Sequence, residues 1–407
     1  MWTEAPVKTR LLHIDAGRSP DLPDVPASPG EWGVLKVSAV HSGGFRPKEN
    51  KSVNSAALAD ERFEVHPGDL LFSRANTPEL VGSACIAVPT VERLLLSDKT
   101  LRLVVNPALA DTRFVNICLA GRDVRRQIEV AASGSSRSMQ NISQRSVEGL
   151  RFWWPSVEEQ RRIVEVLDAV TEAERGVEAS IAKLRTVRHS VVSAEIPTRV
   201  DDSLAWSARV PVRWVPVKDA GSVRMGKQLS PDSRAAGKQF PYLRVANVLD
   251  GRIDYADVKT MGFTESERDV YSLRPGDILL NEGQSLELVG RSAIYEHAAG
   301  EFCFQNTLVR FRSGDGLLPR YAQAVFKLWL TSGVFAQIAK KTTSIAHLGG
   351  ERFGALRFPL VPLAEQQRII DLIDTWDKRI ESDVKSLAKL RVLKQGLADD
   401  LLSARCG

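Results

Sequence analysis

Two stretches of the chain, 156–195 and 362–404, have no proline beyond the opening Pro362 and almost no glycine. Their apolar residues recur at alternating steps of four and three. The first reads Ile163, Leu167, Val170, Glu174, Val177, Ile181, Leu184, Arg188, Val191. The second reads Ile369, Ile373, Trp376, Ile380, Asp383, Leu387, Leu390, Lys394, Leu397. Seven of nine positions are apolar in each, so the pattern predicts two long helices with a coiled-coil seam rather than two surface amphipathic helices, which want a wider apolar stripe. At 1.5 Å per residue such helices run on the order of 60 Å and look like spacers. Ser156 with Glu159 three residues on predicts a capping box at the first helix start. The remaining sequence is rich in short β-type runs bounded by turn formers, such as GVLKVSAV, DLLFS, FPYLRVANV and GDILLN, with helical pattern mixed in at 319–339. The expected class is α+β.

The runs repeat. Pro67-Gly68-Asp69-Leu70-Leu71-Phe72 returns 208 positions later as Pro275-Gly276-Asp277-Ile278-Leu279-Leu280. The same offset carries Glu79-Leu80-Val81-Gly82 onto Glu287-Leu288-Val289-Gly290, and Leu35–Val40 onto Leu243–Val248. At an offset of 206, Glu159–Val164 meets Glu365–Ile370, and Ala182-Lys183-Leu184-Arg185 meets Ala388-Lys389-Leu390-Arg391. Near-constant register over most of the chain means two copies of one unit. The predicted domains are 1–155, a helix at 156–199, a second domain at 200–361 and a second helix at 362–407.

Composition narrows the class without naming a function. The 407 residues are 43% hydrophobic and 26% charged, ordinary for globular domains, with 55 Lys+Arg against 50 Asp+Glu for a net charge of +5. No apolar run approaches the ~18 residues of a membrane span, and the start lacks a secretory apolar stretch, which points to a soluble cytoplasmic protein. Cys85, Cys118, Cys303 and Cys406 form no CxxC, so they read mostly as small buried hydrophobes. Phosphate-loop, dinucleotide, zinc-protease and nucleophile-elbow motifs are missing, the six histidines are scattered, and no metal site is expected. The chain reads as a binding subunit without a catalytic residue or cofactor of its own.

Polar segments stand where the copies diverge. After GDLLF come Ser73-Arg74-Ala75-Asn76-Thr77, and after GDILL come Asn281-Glu282-Gly283-Gln284-Ser285. Arg, Asn, Gln and Glu have the donor and acceptor geometry that base edges require. A second pair, 133–138 with Arg137 and 340–344 with Lys340 and Lys341, combines hydroxyls and cations as phosphate contact requires. The candidate DNA contacts are therefore Ser73, Arg74, Asn76, Arg137, Asn281, Glu282, Gln284, Lys340 and Lys341. Ile163, Leu167, Val170, Ile369, Ile373 and Trp376 are the candidate helix and partner interface. An ordinary surface loop remains the plain alternative for each polar segment.

The segments VLKVSAVHSGGF, GDLLFSRANTPELVG and YLRVANVLDGRID, with the helices EQRRIVEVLD and EQQRIIDLID, resemble the specificity (S) subunit of type I restriction–modification enzymes over nearly the whole chain. The resemblance implies two pseudo-twofold-related target-recognition domains joined by an antiparallel helix pair, each reading half of a split sequence in double-stranded DNA. It implies methyltransferase (M) subunits that supply S-adenosylmethionine chemistry and a motor/nuclease (R) subunit that completes the enzyme. A specificity subunit of a methylation-only or other multi-subunit defence system is the alternative. A self-contained nuclease would need a missing constellation, and a protein-only adaptor would not explain two elaborate domains. Copy 2 has a lead-in, Trp206 to Pro216, that copy 1 lacks, so an abbreviated N-terminal packing edge is expected in domain 1. Overlaying the seams antiparallel makes paired residue numbers sum to about 560. That puts Arg188 near Asp371 and Asp374, and Lys394 near Glu165 and Asp168.

Overall fold

A computed structural model describes residues 2–53, 59–88, 93–136, 139–197, 210–229, 238–341 and 345–403. Arg137 lies outside the described residues, as does Cys406. The chain packs as two units, residues 1–179 with 385–407, and residues 180–384. These divisions fall inside the helices rather than at their ends, because each helix half adds its apolar seam to the core beside it.

The first unit centres on a four-stranded antiparallel sheet in the order Leu11–Ala16, Thr100–Val105, Leu70–Ser73, Ala84–Ile86. The second has the same sheet in the same order: Gly221–Met225, Leu308–Ser313, Ile278–Asn281, Ser292–Ile294. The runs LLFS and ILLN are continuously apolar to their last residue because both sheet faces are covered. Leu70 and Phe72 join one core and Leu71 the other, as do Ile278 and Leu280 against Leu279. The period-2 alternation of a strand thus feeds two cores.

The repeated Pro-Gly-Asp is a structural lock. Gly68 and Gly276 have φ of 91° and 92°. The carboxylates of Asp69 and Asp277 accept from the amides of His66 and Arg274 at 2.9 and 2.8 Å, closing each turn. They also hold Arg102 (3.0 Å) and Arg312 (2.6 and 2.7 Å) on the neighbouring strand. Cys85, Cys118 and Cys303 are buried, and burial raises each thiol, Cys85 to about 11.

The expected abbreviation of domain 1 is not found. Thr3–Pro6 pairs antiparallel with Arg151–Trp154 just as Arg213–Pro216 pairs with Arg357–Leu360. Four residues suffice because the Trp154 indole donates to the Ala5 carbonyl at 3.0 Å, and that of Trp2 donates to Glu159 at 3.1 Å. That second bond also alters the expected capping box. The Glu159 amide donates to Ser156 Oγ at 3.3 Å, while the Glu159 carboxylate faces Trp2.

The long helices are Val157–Glu195 and Leu363–Ser403. Within each unit the opening half of one runs antiparallel to the closing half of the other. Ile163 and Leu167 are buried in the first unit's core, where Leu397 and Leu401 pack, and Ile369 and Ile373 are buried in the second unit's core beside Val192. Val170 and Trp376 are half-buried. Ile163, Leu167, Ile369 and Ile373 thus hold the chain's own helices to its own domains. The outward faces carry Val166, Val384, Val392 and Leu393 instead. No helix among the described residues is long and apolar enough to cross a membrane.

The charge register differs from expectation. Arg188 pairs bidentately with Asp377 (2.6 and 2.8 Å), not with Asp371 or Asp374. Lys394 Nζ donates to Glu174 at 3.0 Å, not to Glu165 or Asp168. The reason is competition: Asp168 is taken by Arg113 at 3.0 Å, and Asp374 by Arg320 at 2.7 Å, a contact that holds the Asp374 carboxyl below its ordinary range. Apolar packing sets the register and the charges adapt. A double-mutant cycle on Arg188 and Asp377, read by urea unfolding, should therefore give a coupling of only about 0.5–1 kcal/mol. A coupling above ~2 kcal/mol would mean that this pair sets the register.

Candidate nucleic-acid interface

Each central strand passes directly into a small three-stranded antiparallel sheet. In the first unit Ala75–Asn76 pairs with Met139–Asn141, which pairs with Ser133–Ser136. In the second, Gly283–Gln284 pairs with Ala346–His347, which pairs with Lys340–Lys341. The two polar segments of each copy, more than fifty residues apart in sequence, are thus the two outer strands of one sheet, on either side of the returning strand. Flanking backbone bonds repeat too. The amides of Arg74 and Glu282 donate to Lys99 and Thr307, and those of Ile142 and Leu348 donate back to Arg74 and Glu282.

The side chains are not equally available. Ser73 and Asn281 are fully buried, which removes them from the expected contact set. As the last residues of their strands they point to the same side as Leu71 and Leu279. Ser73 Oγ donates to the Ala75 carbonyl at 3.4 Å, and Asn281 Nδ2 donates to the Val248 carbonyl at 3.2 Å. Arg74 is half-buried, and its guanidinium makes no hydrogen bond or ion pair among the described residues. Glu282 occupies the equivalent place, but its carboxylate is only 15% exposed and lies 3.0 Å from His347 Nδ1. Glu282 is therefore an anchored group rather than a free acceptor.

Asn76 and Gln284 share a device. Each side-chain carbonyl accepts from the next backbone amide, at 2.9 Å from Thr77 and 3.3 Å from Ser285. Folding the oxygen onto the backbone orients the amide nitrogen as a donor. Lys340 and Lys341 are exposed on the outer strand, with no carboxylate within salt-bridge distance among the described residues. Sequence reasoning missed His347 and its equivalent Asn141. The 206-residue offset could have found them, since both follow the hydroxyl-rich run by the same spacing. Chemically the small sheet and the residues leading into it offer donors, acceptors and cations.

Residues 211–391 match the family model of the type I restriction modification DNA specificity domain. Over 169 residues the chain is 31% identical to the specificity subunit of the type I restriction enzyme EcoEI of Escherichia coli, covering 41% of this chain and 28% of that protein. The chain aligns with 28% to 60% of the lengths of the curated relatives it matches. The HsdS subunit from Thermoanaerobacter tengcongensis superposes with a TM-score of 0.54 at 18% identity, over 100% of this chain and 97% of that one. A chain from a structural study of the assembly and conformational transition of the type I R-M system gives 0.67 at 16% identity, over 98% and 97%. At those identities the likeness is one of fold. Residues 211–391 thus match the type I restriction modification DNA specificity domain, parts of the chain resemble type I restriction enzyme specificity subunits in sequence, and the chain shares the fold of HsdS.

Proposed function

We propose that the chain is the DNA sequence-recognition subunit of a type I restriction–modification complex, with each unit reading one half of a split target. The observation that carries this reading is the paired small sheet. One backbone arrangement occurs in both units while its side chains change, with Arg74, Asn76 and Asn141 against Glu282, Gln284 and His347. A constant frame with exchanged donors and acceptors is what reading two different half-sites requires. The chain has no catalysis of its own in this reading. S-adenosylmethionine belongs to methyltransferase subunits docked on the outer helix faces, and a motor/nuclease subunit completes the enzyme.

The test is co-expression with the methyltransferase partner and single-molecule methylation sequencing. Arg74→Ala or Asn76→Ala should relax one position of one half-site, where a good bidentate contact supplies ~1–3 kcal/mol of discrimination, and leave the other half unchanged. Exchanging residues 30–150 for those of a relative should change one half only. Both halves changing together, or neither, would sink the reading.

A further inference from the structure

Each recognition sheet exposes one large apolar side chain in otherwise polar company. Met139 opens the returning strand of the first unit and is 40% exposed. Ile345 directly precedes the returning strand Ala346–His347 of the second and is 45% exposed. The 206-residue offset makes the two positions equivalent. A single exposed apolar residue is ordinary on a protein surface. Recurrence at one position is not, because 73–77 and 281–285 share no identical residue and the neighbouring strand changes from Ser133–Ser136 to Lys340–Lys341.

The local geometry gives the position a shape. A Cβ placed on Gly283 would lie 3.7 Å from Ile345 Cγ2 and 3.5 Å from His347 Cε1. Ile345 and His347 therefore flank Gly283 on one face, with no side chain between them, and the Glu282 carboxylate beside His347 Nδ1 orients the imidazole. In the first unit strand alternation puts Met139 and Asn141 on one face across from Ala75. Both units thus present an apolar group and a polar group side by side over a small residue.

Duplex DNA offers such a pair little apolar surface outside its stacked interior. Its major groove admits a two-stranded ribbon, and the apolar group displayed there is the C5-methyl of thymine. We infer that Met139 and Ile345 are specificity-determining positions, each packing on the methyl group of one thymine in its own half-site. This rests on the DNA-reading function proposed above. The neighbouring Asn141 and His347 then face the adjacent base edge, and Lys340 and Lys341 face phosphates.

The experiment uses the complex with its methyltransferase subunits. Methylation sequencing first defines both half-sites, and binding is then measured on duplexes with one thymine at a time replaced by deoxyuridine. One such replacement in each half should weaken binding by about 3- to 10-fold, the worth of one or two buried methyl-sized groups. Ile345→Ala should weaken binding to the thymine duplex by a similar factor and abolish the thymine–uracil difference in its own half alone. Met139→Ala should do the same in the other half. Both side chains are exposed, so an unchanged melting temperature excludes misfolding as the cause. The inference is overturned if the alanine variants keep the thymine–uracil difference, if no thymine in a half matters, or if both halves respond to one variant. It is overturned equally if the variants lose only a 2-aminopurine unstacking signal, since the side chain would then be a wedge between base steps. A wild-type complex without sequence-specific methylation would instead sink the parent reading, and this one with it.

Discussion

Gly290→Ala should destabilise the second unit by about 3–5 kcal/mol, a fall in Tm on the order of 10 °C. Two independent costs combine at this glycine of the repeated Glu-Leu-Val-Gly. Its φ is 82°, which a residue with a Cβ adopts only under strain. The added Cβ would also stand 2.2 Å from the ring of Phe335, a fully buried side chain stacked edge-on against Trp329 and packed near Phe353. That ring cannot retreat without opening the aromatic core. Gly251→Ala separates the two costs, because φ is 71° there but no atom lies within 4 Å of the new Cβ. It should cost only ~1–2 kcal/mol. Gly82→Ala should fall between, since its Cβ meets the methyl ends of Ile128, at 2.6 and 2.9 Å, rather than a ring. Calorimetry on the three variants checks the order. Equal losses for Gly290→Ala and Gly251→Ala would show that the steric cost is absent.

Gln366→Ala should cost the second unit about 3–5 kcal/mol, far more than a typical polar substitution, and Gln160→Ala about 2–4 in the first. Gln366 is fully buried at the foot of the second long helix. Its Oε1 accepts from the Leu318 amide at 2.8 Å, and its Nε2 donates to the carbonyls of Gly316 (2.9 Å) and Val361 (2.8 Å). Gln160 repeats the arrangement with the Asp111 amide and the Pro155 carbonyl, at 2.9 and 3.0 Å. Each glutamine ties a helix start to the loop that opens a domain helix. Truncation leaves buried backbone groups unpaired, which is the expensive outcome. Gln366→Glu sharpens the test through pH. Its second oxygen would face two carbonyls, so the folded-state pKa would rise above the ordinary glutamate value of ~4.3. A raised acid pKa means that stability is retained below the unfolded-state pKa and lost as pH climbs through the folded one. The variant should therefore unfold more easily at pH 8 than at pH 5. A pH-independent variant, or a fully stable Gln366→Ala, would refute the locking role.

The identity of these glutamines was within reach of the sequence. Both stand in the repeated Glu-Gln of the helix starts, whose second member is buried while Arg161 and Gln367 beside it are exposed. Repetition marked them, but nothing local told a lock from a helix surface. The seam residues were more legible. Every position from Ile163 to Val191 and from Ile369 to Leu397 taken at steps of four and three is buried or half-buried, because a helix face is a local property of spacing.

What the sequence determined by itself is what periodicity and self-similarity encode: two copies of one α+β unit, two long helices with apolar seams, and turns marked by Pro-Gly-Asp. Each depends on residues near one another in the chain, or on a constant offset. Three things were decided only by tertiary structure. Pairing Asn76 with Gln140 and Gln284 with Ala346 required strands separated by some sixty residues to meet. The inward turn of Ser73 and Asn281 followed from which strand face was already occupied by Leu71 and Leu279. The charge pairing between the long helices differs from expectation because apolar packing set the register and Arg113 and Arg320, on domain helices, hold Asp168 and Asp374. Exposed charges contribute ~0–1 kcal/mol each, too little to override apolar packing, so their partners are an outcome of the fold and not a code for it.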